Sequence, residues 1–189
     1  MQIEQTALPD VVILVPPRFG DARGWFSETW NAARMASAGL DLAFVQDNHS
    51  FSAQKGTLRG LHYQRPPHAQ DKLVRCTRGA IFDVAVDIRK GSPAYGTWVG
   101  AELSAENGHQ LLIPKGFLHG FVTLTDDCEV QYKCTDVYAP DCDGGIRWDD
   151  PDIGIDWPLQ GATPVLSAKD AVAPLLAGFD SPFVWEGGQ

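Results

Sequence analysis

The sequence predicts an all-β protein, a double-sheet jelly roll with short flanking helices. Three observations carry this. The 13 prolines and 19 glycines are spread along the whole length and cut the chain into many short segments, the pattern of a sandwich or barrel. Residues 81–88 alternate: Phe82, Val84, Val86 and Ile88 share one face, and Ile81, Asp83, Ala85 and Asp87 share the other. Helical signals are few. At 189 residues, without repeats or linkers, the chain reads as one domain spanning 1–189.

In chain order, residues 11–15 read as a strand stopped by Pro16-Pro17. Asn31 to Ala36 holds good helix formers and stops near Gly39. Strands are then expected at 42–47, 58–63, 72–77, 81–88, 98–103, 110–113, 120–124 and 129–135. A second helix is expected to open with Ser167 as N-cap and run through Leu175-Leu176 despite Pro174.

The net charge of −9 argues against binding to nucleic acid or to an anionic membrane, though a small anionic ligand needs only a local basic pocket. Cys76, Cys128, Cys134 and Cys142 show no C-x-x-C pairing and read as ordinary reduced thiols of a cytoplasmic protein. The first residues lack the basic start and apolar run of a signal peptide. No apolar stretch approaches the roughly 20 residues that span a bilayer.

The segment Leu58-Arg59-Gly60-Leu61-His62-Tyr63-Gln64, with Lys72 close behind, concentrates the chemistry. A histidine can take a proton near neutral pH. A lysine can stabilise the charge left when a carbon acid loses one. An arginine can grip a phosphate. A strand histidine can equally be a hydrogen-bonded structural residue. Geometry adds a difficulty, because Arg59 and His62 fall on opposite faces of a regular strand. Both enter one cavity only if the strand bends or bulges, and Gly60 is the place for that.

Pro114-Lys115-Gly116-Phe117-Leu118-His119 is a tight turn that delivers a histidine to a strand, a pattern that metal-binding cupin barrels use for one ligand. The matching His-x-His is missing, since the chain has His62-Tyr63-Gln64, so no metal is expected. His119 then reads as a hydrogen-bond donor to substrate or a structural histidine. Tyr132 is either a half-buried strand tyrosine or a proton donor facing the base. Tyr138 is a packing residue or a stacking platform for a nucleobase. Asp170 is a solvated helix residue or a carboxylate that orients a histidine.

Taken together, these segments resemble the dTDP-4-dehydrorhamnose 3,5-epimerase family. The likeness runs from Phe19-Gly20-Asp21-Ala22-Arg23-Gly24-Trp25-Phe26-Ser27-Glu28 to Leu166-Ser167-Ala168-Lys169-Asp170. Between them lie Phe44-Val45-Gln46-Asp47-Asn48-His49-Ser50, the Arg59 to Gln64 segment, Asp83-Val84-Ala85-Val86-Asp87-Ile88-Arg89, Ile113-Pro114-Lys115-Gly116-Phe117, Gly145-Ile146-Arg147-Trp148-Asp149-Asp150-Pro151 and Ile155-Asp156-Trp157-Pro158. The resemblance implies a metal-free and cofactor-free cupin jelly roll (a double-stranded β-helix) that forms homodimers and acts on dTDP-4-dehydro-6-deoxy-D-glucose, a dTDP-4-keto-6-deoxysugar. It implies His62 as general base, Asp170 as its paired carboxylate, Lys72 as enolate stabiliser and Tyr132 as the acid on the opposite face. Arg23, Glu28, Gln46, Asn48, Arg59, His119 and Lys169 match substrate-binding positions, and Tyr138 matches the aromatic that stacks on thymine. Asp143 stands where the family commonly has glutamate. The first segment of the family can reach the neighbouring subunit's site, which makes Arg23 a residue of the partner's site as much as of its own. Relatives invert only C3 or only C5; a non-epimerase sugar-binding or metal cupin is a further alternative.

Overall fold

The computed structural model describes residues 1–187. The strands are β1 (Gln2–Gln5), β2 (Val12–Val15), β3 (Phe19–Asp21), β4 (Gly24–Phe26), β5 (Gln46–Ser52), β6 (Leu58–Gln64), β7 (Lys72–Arg78), β8 (Ala80–Asp87), β9 (Trp98–Ser104), β10 (Gln110–Ile113), β11 (Phe117–Thr123), β12 (Cys128–Cys134) and β13 (Asp143–Gly145). Helix α1 (Ala32–Ser37) lies between β4 and β5, and α2 (Ala168–Ala171) follows β13.

Two sheets carry the fold, in the orders β1-β2-β10-β7-β12-β5 and β13-β6-β11-β8-β9; β3 and β4 form a separate hairpin. Every pairing between these strands is antiparallel, as in β1 with β2 and β8 with β9. The alternation in β8 decides what each face meets. Ile81 and Ala85 pack with Val74, Leu103, Leu111 and Val130 between the sheets. Phe82, Val84, Val86 and Ile88 face the other way, under Ile146, Trp157 and Phe183 of the C-terminal segment. On the outer face of the first sheet Leu14, Leu73 and Leu112 are covered by Met35 of α1 and by Trp30, Leu42 and Phe44. Both sheets are therefore apolar on two faces, which leaves the inter-sheet space free to become polar at one end.

Several expectations shift. The strand expected at 42–47 begins instead at Gln46 and runs to Ser52, because Leu42 and Phe44 serve the layer beneath α1. The strand expected from Gly120 starts three residues earlier, at Phe117. Asn31 caps α1 by accepting from the Arg34 amide, and Ser167 caps α2 by accepting from the Asp170 amide. Helix α2 does not reach Leu175-Leu176; it ends at Ala171. Pro174 clashes with the preceding turn and biases the residue before it away from helix.

Candidate active site

The bulge that the parity of Arg59 and His62 requires is present in β6. His119 of β11 stands opposite His62, and Phe121 stands opposite Arg59, so a two-residue step on β11 matches a three-residue step on β6. Gly60 takes φ +123°, a conformation that side-chain-bearing residues rarely adopt, and a Cβ there would lie 2.6 Å from Gly120 Cα. The extra residue reverses the alternation, and Arg59 and His62 line the same cavity.

That cavity, about 440 Å³, lies where the inter-sheet core gives way to polar side chains. Arg59 and His62 enter from β6, His119 from β11, Lys72 from β7, Tyr132 from β12 and Asp170 from α2. A second cavity of about 380 Å³ shares His62, Lys72, Tyr132 and Lys169 with it and adds Gln46, Asn48, Tyr138 and Asp143. The two sheets thus face each other across the site, with His62 on one and Tyr132 on the other.

The electrostatics are specific. His62 Nε2 lies 2.6 Å from Asp170 Oδ1, with Asp170 buried and His62 partly open to the cavity. Burial pushes the Asp170 carboxyl up, but the His62 hydrogen bond and charge, with Ser167 and the Gly60 amide, outweigh it and hold the carboxyl below its ordinary value. An ionised carboxylate only accepts, so Nε2 donates to it and Nδ1 keeps the lone pair that a base requires. Burial lowers the Lys72 ammonium, opposed by Cys134, Asp143 and Asp83. Among the described residues Lys72 makes no ion pair, so its charge is directed at the cavity rather than at a fixed partner. Burial and the neighbouring Cys134 raise the Tyr132 phenol, which keeps it a proton-carrying acid at neutral pH. His119 Nε2 lies 2.8 Å from Asp83 Oδ1, and both residues are buried.

The remaining polar groups frame this centre. Arg59 Nε donates to Ser52 Oγ and Arg59 Nη2 donates to the Phe51 carbonyl, which fixes the guanidinium at the cavity rim. Gln46 Nε2 donates to Asn48 Oδ1, and Gln46 Oε1 accepts from the Tyr138 amide. Lys169 Nζ pairs with Asp143 Oδ2, the same oxygen that the Tyr138 hydroxyl approaches at 3.5 Å. The shorter Asp143 thereby ties the Tyr138 loop to α2.

The structure does not bring Arg23 and Glu28 to this cavity. Arg23 sits in the β3–β4 turn with its side chain 90% exposed, paired with Asp21. Glu28 accepts from Asn31 and Arg34 near α1. Conversely, Ser50 and Asp83 lie within segments that resemble the family, but sequence reasoning assigns neither a role. The Ser50 hydroxyl is buried against the cavity without a hydrogen-bond partner among the described residues, and Asp83 stands behind His119. For Ser50 a signal existed: it shares strand parity with Gln46 and Asn48.

The profile of the dTDP-4-dehydrorhamnose 3,5-epimerase family matches residues 5–178. The chain belongs to this family. It is 56% identical to the dTDP-4-dehydrorhamnose 3,5-epimerase of Salmonella typhimurium over 177 residues, covering 93% of this chain and 96% of that one. Among solved structures, the dTDP-6-deoxy-D-glucose-3,5-epimerase of Legionella pneumophila, in complex with dTDP-4-keto-L-rhamnose, aligns with a TM-score of 0.93 at 47% identity, covering 98% of this chain and 99% of that one. A dTDP-4-dehydrorhamnose 3-epimerase of Streptomyces niveus is 37% identical over 94% of this chain and 84% of its own length. The protein is an isomerase, an epimerase on the cupin jelly roll of its relatives.

In this epimerase the unpaired Lys72 ammonium carries a stability cost. The unfolded lysine holds its proton to higher pH than the folded one, so burial of the charge destabilises the fold below the ordinary lysine range, and the cost fades as pH rises into it. Lys72→Met is therefore expected to raise Tm at pH 7 by about 2–4 °C, the size of about 1 kcal/mol in a chain this long, while epimerisation is lost. Calorimetry at pH 7 and pH 10 checks it: the gain should shrink at the higher pH.

Proposed function

We propose that this epimerase inverts both C3 and C5 of dTDP-4-dehydro-6-deoxy-D-glucose and releases dTDP-4-dehydro-L-rhamnose. The observation that carries the reading is the placement of the His62–Asp170 pair and of Tyr132 on opposite walls of one cavity. Inversion removes a proton from one face of a carbon and returns one to the other; a single base on one face would restore the starting configuration.

The C4 ketone acidifies the protons on C3 and C5. His62 removes each in turn, and Asp170 stabilises the imidazolium that results. Lys72 stabilises the enolate oxygen at C4, where a preformed charge in a water-poor site is most effective. Tyr132 delivers a proton from the opposite wall. Proton transfer of this kind involves no net redox change and needs no cofactor. Arg59 and Lys169 suit the diphosphate, Tyr138 the thymine, and Gln46, Asn48, His119 and Asp143 the remaining polar groups. The higher identity to the double epimerase of Salmonella typhimurium, 56% against 37% for the 3-epimerase, supports inversion at both carbons.

We further infer a cytoplasmic homodimer. Phe19, Trp25 and Phe26 on the β3–β4 hairpin are 61%, 61% and 68% exposed, and a second copy of the chain would cover them while carrying Arg23 to the partner's cavity. The four cysteines are free and buried, which suits a reducing compartment. Among the described residues no helix is long and apolar enough to cross a membrane.

Tyr132→Phe tests the two-wall arrangement. The variant should still remove protons, so solvent exchange persists, while inversion at C5 falls by about 100-fold or more. Full epimerisation by Tyr132→Phe, read by NMR of the product sugar, would remove Tyr132 from the acid's role.

A further inference from the structure

Asp83 is a buried titratable group that this mechanism leaves unused. It projects from the inner face of β8 between two apolar residues: Ile81 and Ala85 on either side of it belong to the core between the sheets. It is 0% exposed. Its Oδ1 is held by His119 Nε2 at 2.8 Å, whereas its Oδ2 has no hydrogen-bond partner among the described residues. A buried histidine needs one acceptor, and an asparagine or a backbone carbonyl would serve at less cost than a half-satisfied carboxylate. The cation within electrostatic reach of that carboxylate, besides His119, is Lys72, which makes no ion pair among the described residues.

We propose that Asp83 is a positioning residue for the epimerisation, acting from behind the cavity wall on two neighbours at once. Its carboxylate fixes the His119 ring with the proton on Nε2, so that Nδ1 is an acceptor for a hydroxyl of the bound sugar. The same carboxylate stands behind the cavity that Lys72 lines, where it adds to the negative groups that favour the ammonium. The directions agree: burial lowers both Lys72 and His119, Asp83 opposes the fall in each, and burial raises Asp83 against the pull of His119 and Lys72. The other charged and titratable groups facing these neighbours are Cys134 on β12, Asp143 on β13 and Lys169 on α2, toward Lys72, and His62 on β6 and Tyr132 on β12, toward His119. The inference rests on the epimerase reading given above, because it assigns Asp83 to the enolate stabiliser of that reaction.

The test is Asp83→Asn in the full chain, assayed with dTDP-4-dehydro-6-deoxy-D-glucose beside the unmodified protein. The expected result is a kcat lower by about 100-fold, with KM close to that of the unmodified protein. The alkaline limb of the kcat profile should move to lower pH, as Lys72 loses one of the negative groups that favour its ammonium. A structural role alone would change Tm without moving that limb. An unchanged kcat and pH profile in a folded variant would overturn the proposal while the unmodified protein's turnover still supports the epimerase reading; no turnover by the unmodified protein would instead sink that reading. A second measurement does not depend on the variant folding. NMR of the unmodified protein with ¹⁵N-labelled histidine should find His119 protonated on Nε2 and bare on Nδ1 at neutral pH. A proton on Nδ1 in its place contradicts the assignment.

Discussion

His62→Ala is expected to abolish proton exchange at both C3 and C5, with a loss of about 1,000- to 10,000-fold in epimerisation, the range that a positioned general base supplies. One imidazole serves both carbons, so both should fail together. Of the proposed nucleotide contacts, Tyr138 beyond β12 and Lys169 on α2 lie on other elements, and Arg59, on β6 itself, is held by Ser52 and the Phe51 carbonyl rather than by His62. Binding of dTDP, followed by calorimetric titration, should therefore stay near that of the unmodified protein. The fold should survive as well, because His62 is only partly buried and replacing it removes little packing. Removing the base does leave Asp170 without its main hydrogen-bonding partner, and a modest fall in Tm is consistent with that. Exchange persisting at one carbon in His62→Ala would mean that a different base serves that carbon.

Gly60→Ala is expected to be nearly as damaging for a different reason. A Cβ at Gly60 would press on the Gly120 Cα at 2.6 Å and the His119 carbonyl oxygen at 2.8 Å, both backbone atoms that cannot swing aside. The φ of +123° adds strain for any residue with a side chain. A destabilisation of about 2–4 kcal/mol follows from the two effects together. The activity should fall further than the folded fraction does. Relief of the clash shifts β6 against β11, and a displacement of about 1 Å between reacting groups is enough for about 100-fold. Chemical denaturation together with kcat measured on the folded fraction separates the two. Wild-type activity and stability in Gly60→Ala would show that the bulge is not what brings Arg59 and His62 to one cavity.

Gly60 also marks how far the sequence could be read. The parity conflict between Arg59 and His62 was visible in the strand pattern, and so was the residue able to resolve it; the register of β11 supplied the rest. The alternation of residues 81–88 correctly assigned both faces of β8, because each face is apolar enough to show which layer it serves. In β5 the same logic failed. Gln46, Asn48, Ser50 and Ser52 turn toward the site, and Asp47, His49 and Phe51 turn away, so no apolar periodicity marks the strand. The apolar run just before it drew the expectation instead, although Leu42 and Phe44 belong to the layer under α1. Strand β13, Asp143-Gly144-Gly145, has no strand propensity at all and exists because β6 offers it an edge. The hairpin of β3 and β4 was hidden for the opposite reason: its aromatic side chains are exposed, and burial left no pattern there.

Of the thirteen residues matched to the family's site, eleven line the two adjoining cavities, and Arg23 and Glu28 do not. Those two lie on the one segment whose place depends on something outside the single chain. Asp83 escaped because in the sequence it is one polar residue in an alternating strand, and only the three-dimensional neighbourhood shows its second oxygen to be unpartnered. Asp83 opens one of the segments that resemble the family, but the segment itself does not say what the carboxylate does.

The central claim is that one cavity carries out proton removal and return at two carbons flanking a ketone. Deuterium incorporation tests it most directly. The protein is incubated with dTDP-4-dehydro-6-deoxy-D-glucose in deuterated water, and the sugar is examined by NMR at C3 and C5. Deuterium at both carbons, in a product inverted at both, is the predicted result; deuterium at only one carbon contradicts double epimerisation, and deuterium at neither contradicts the chemistry itself.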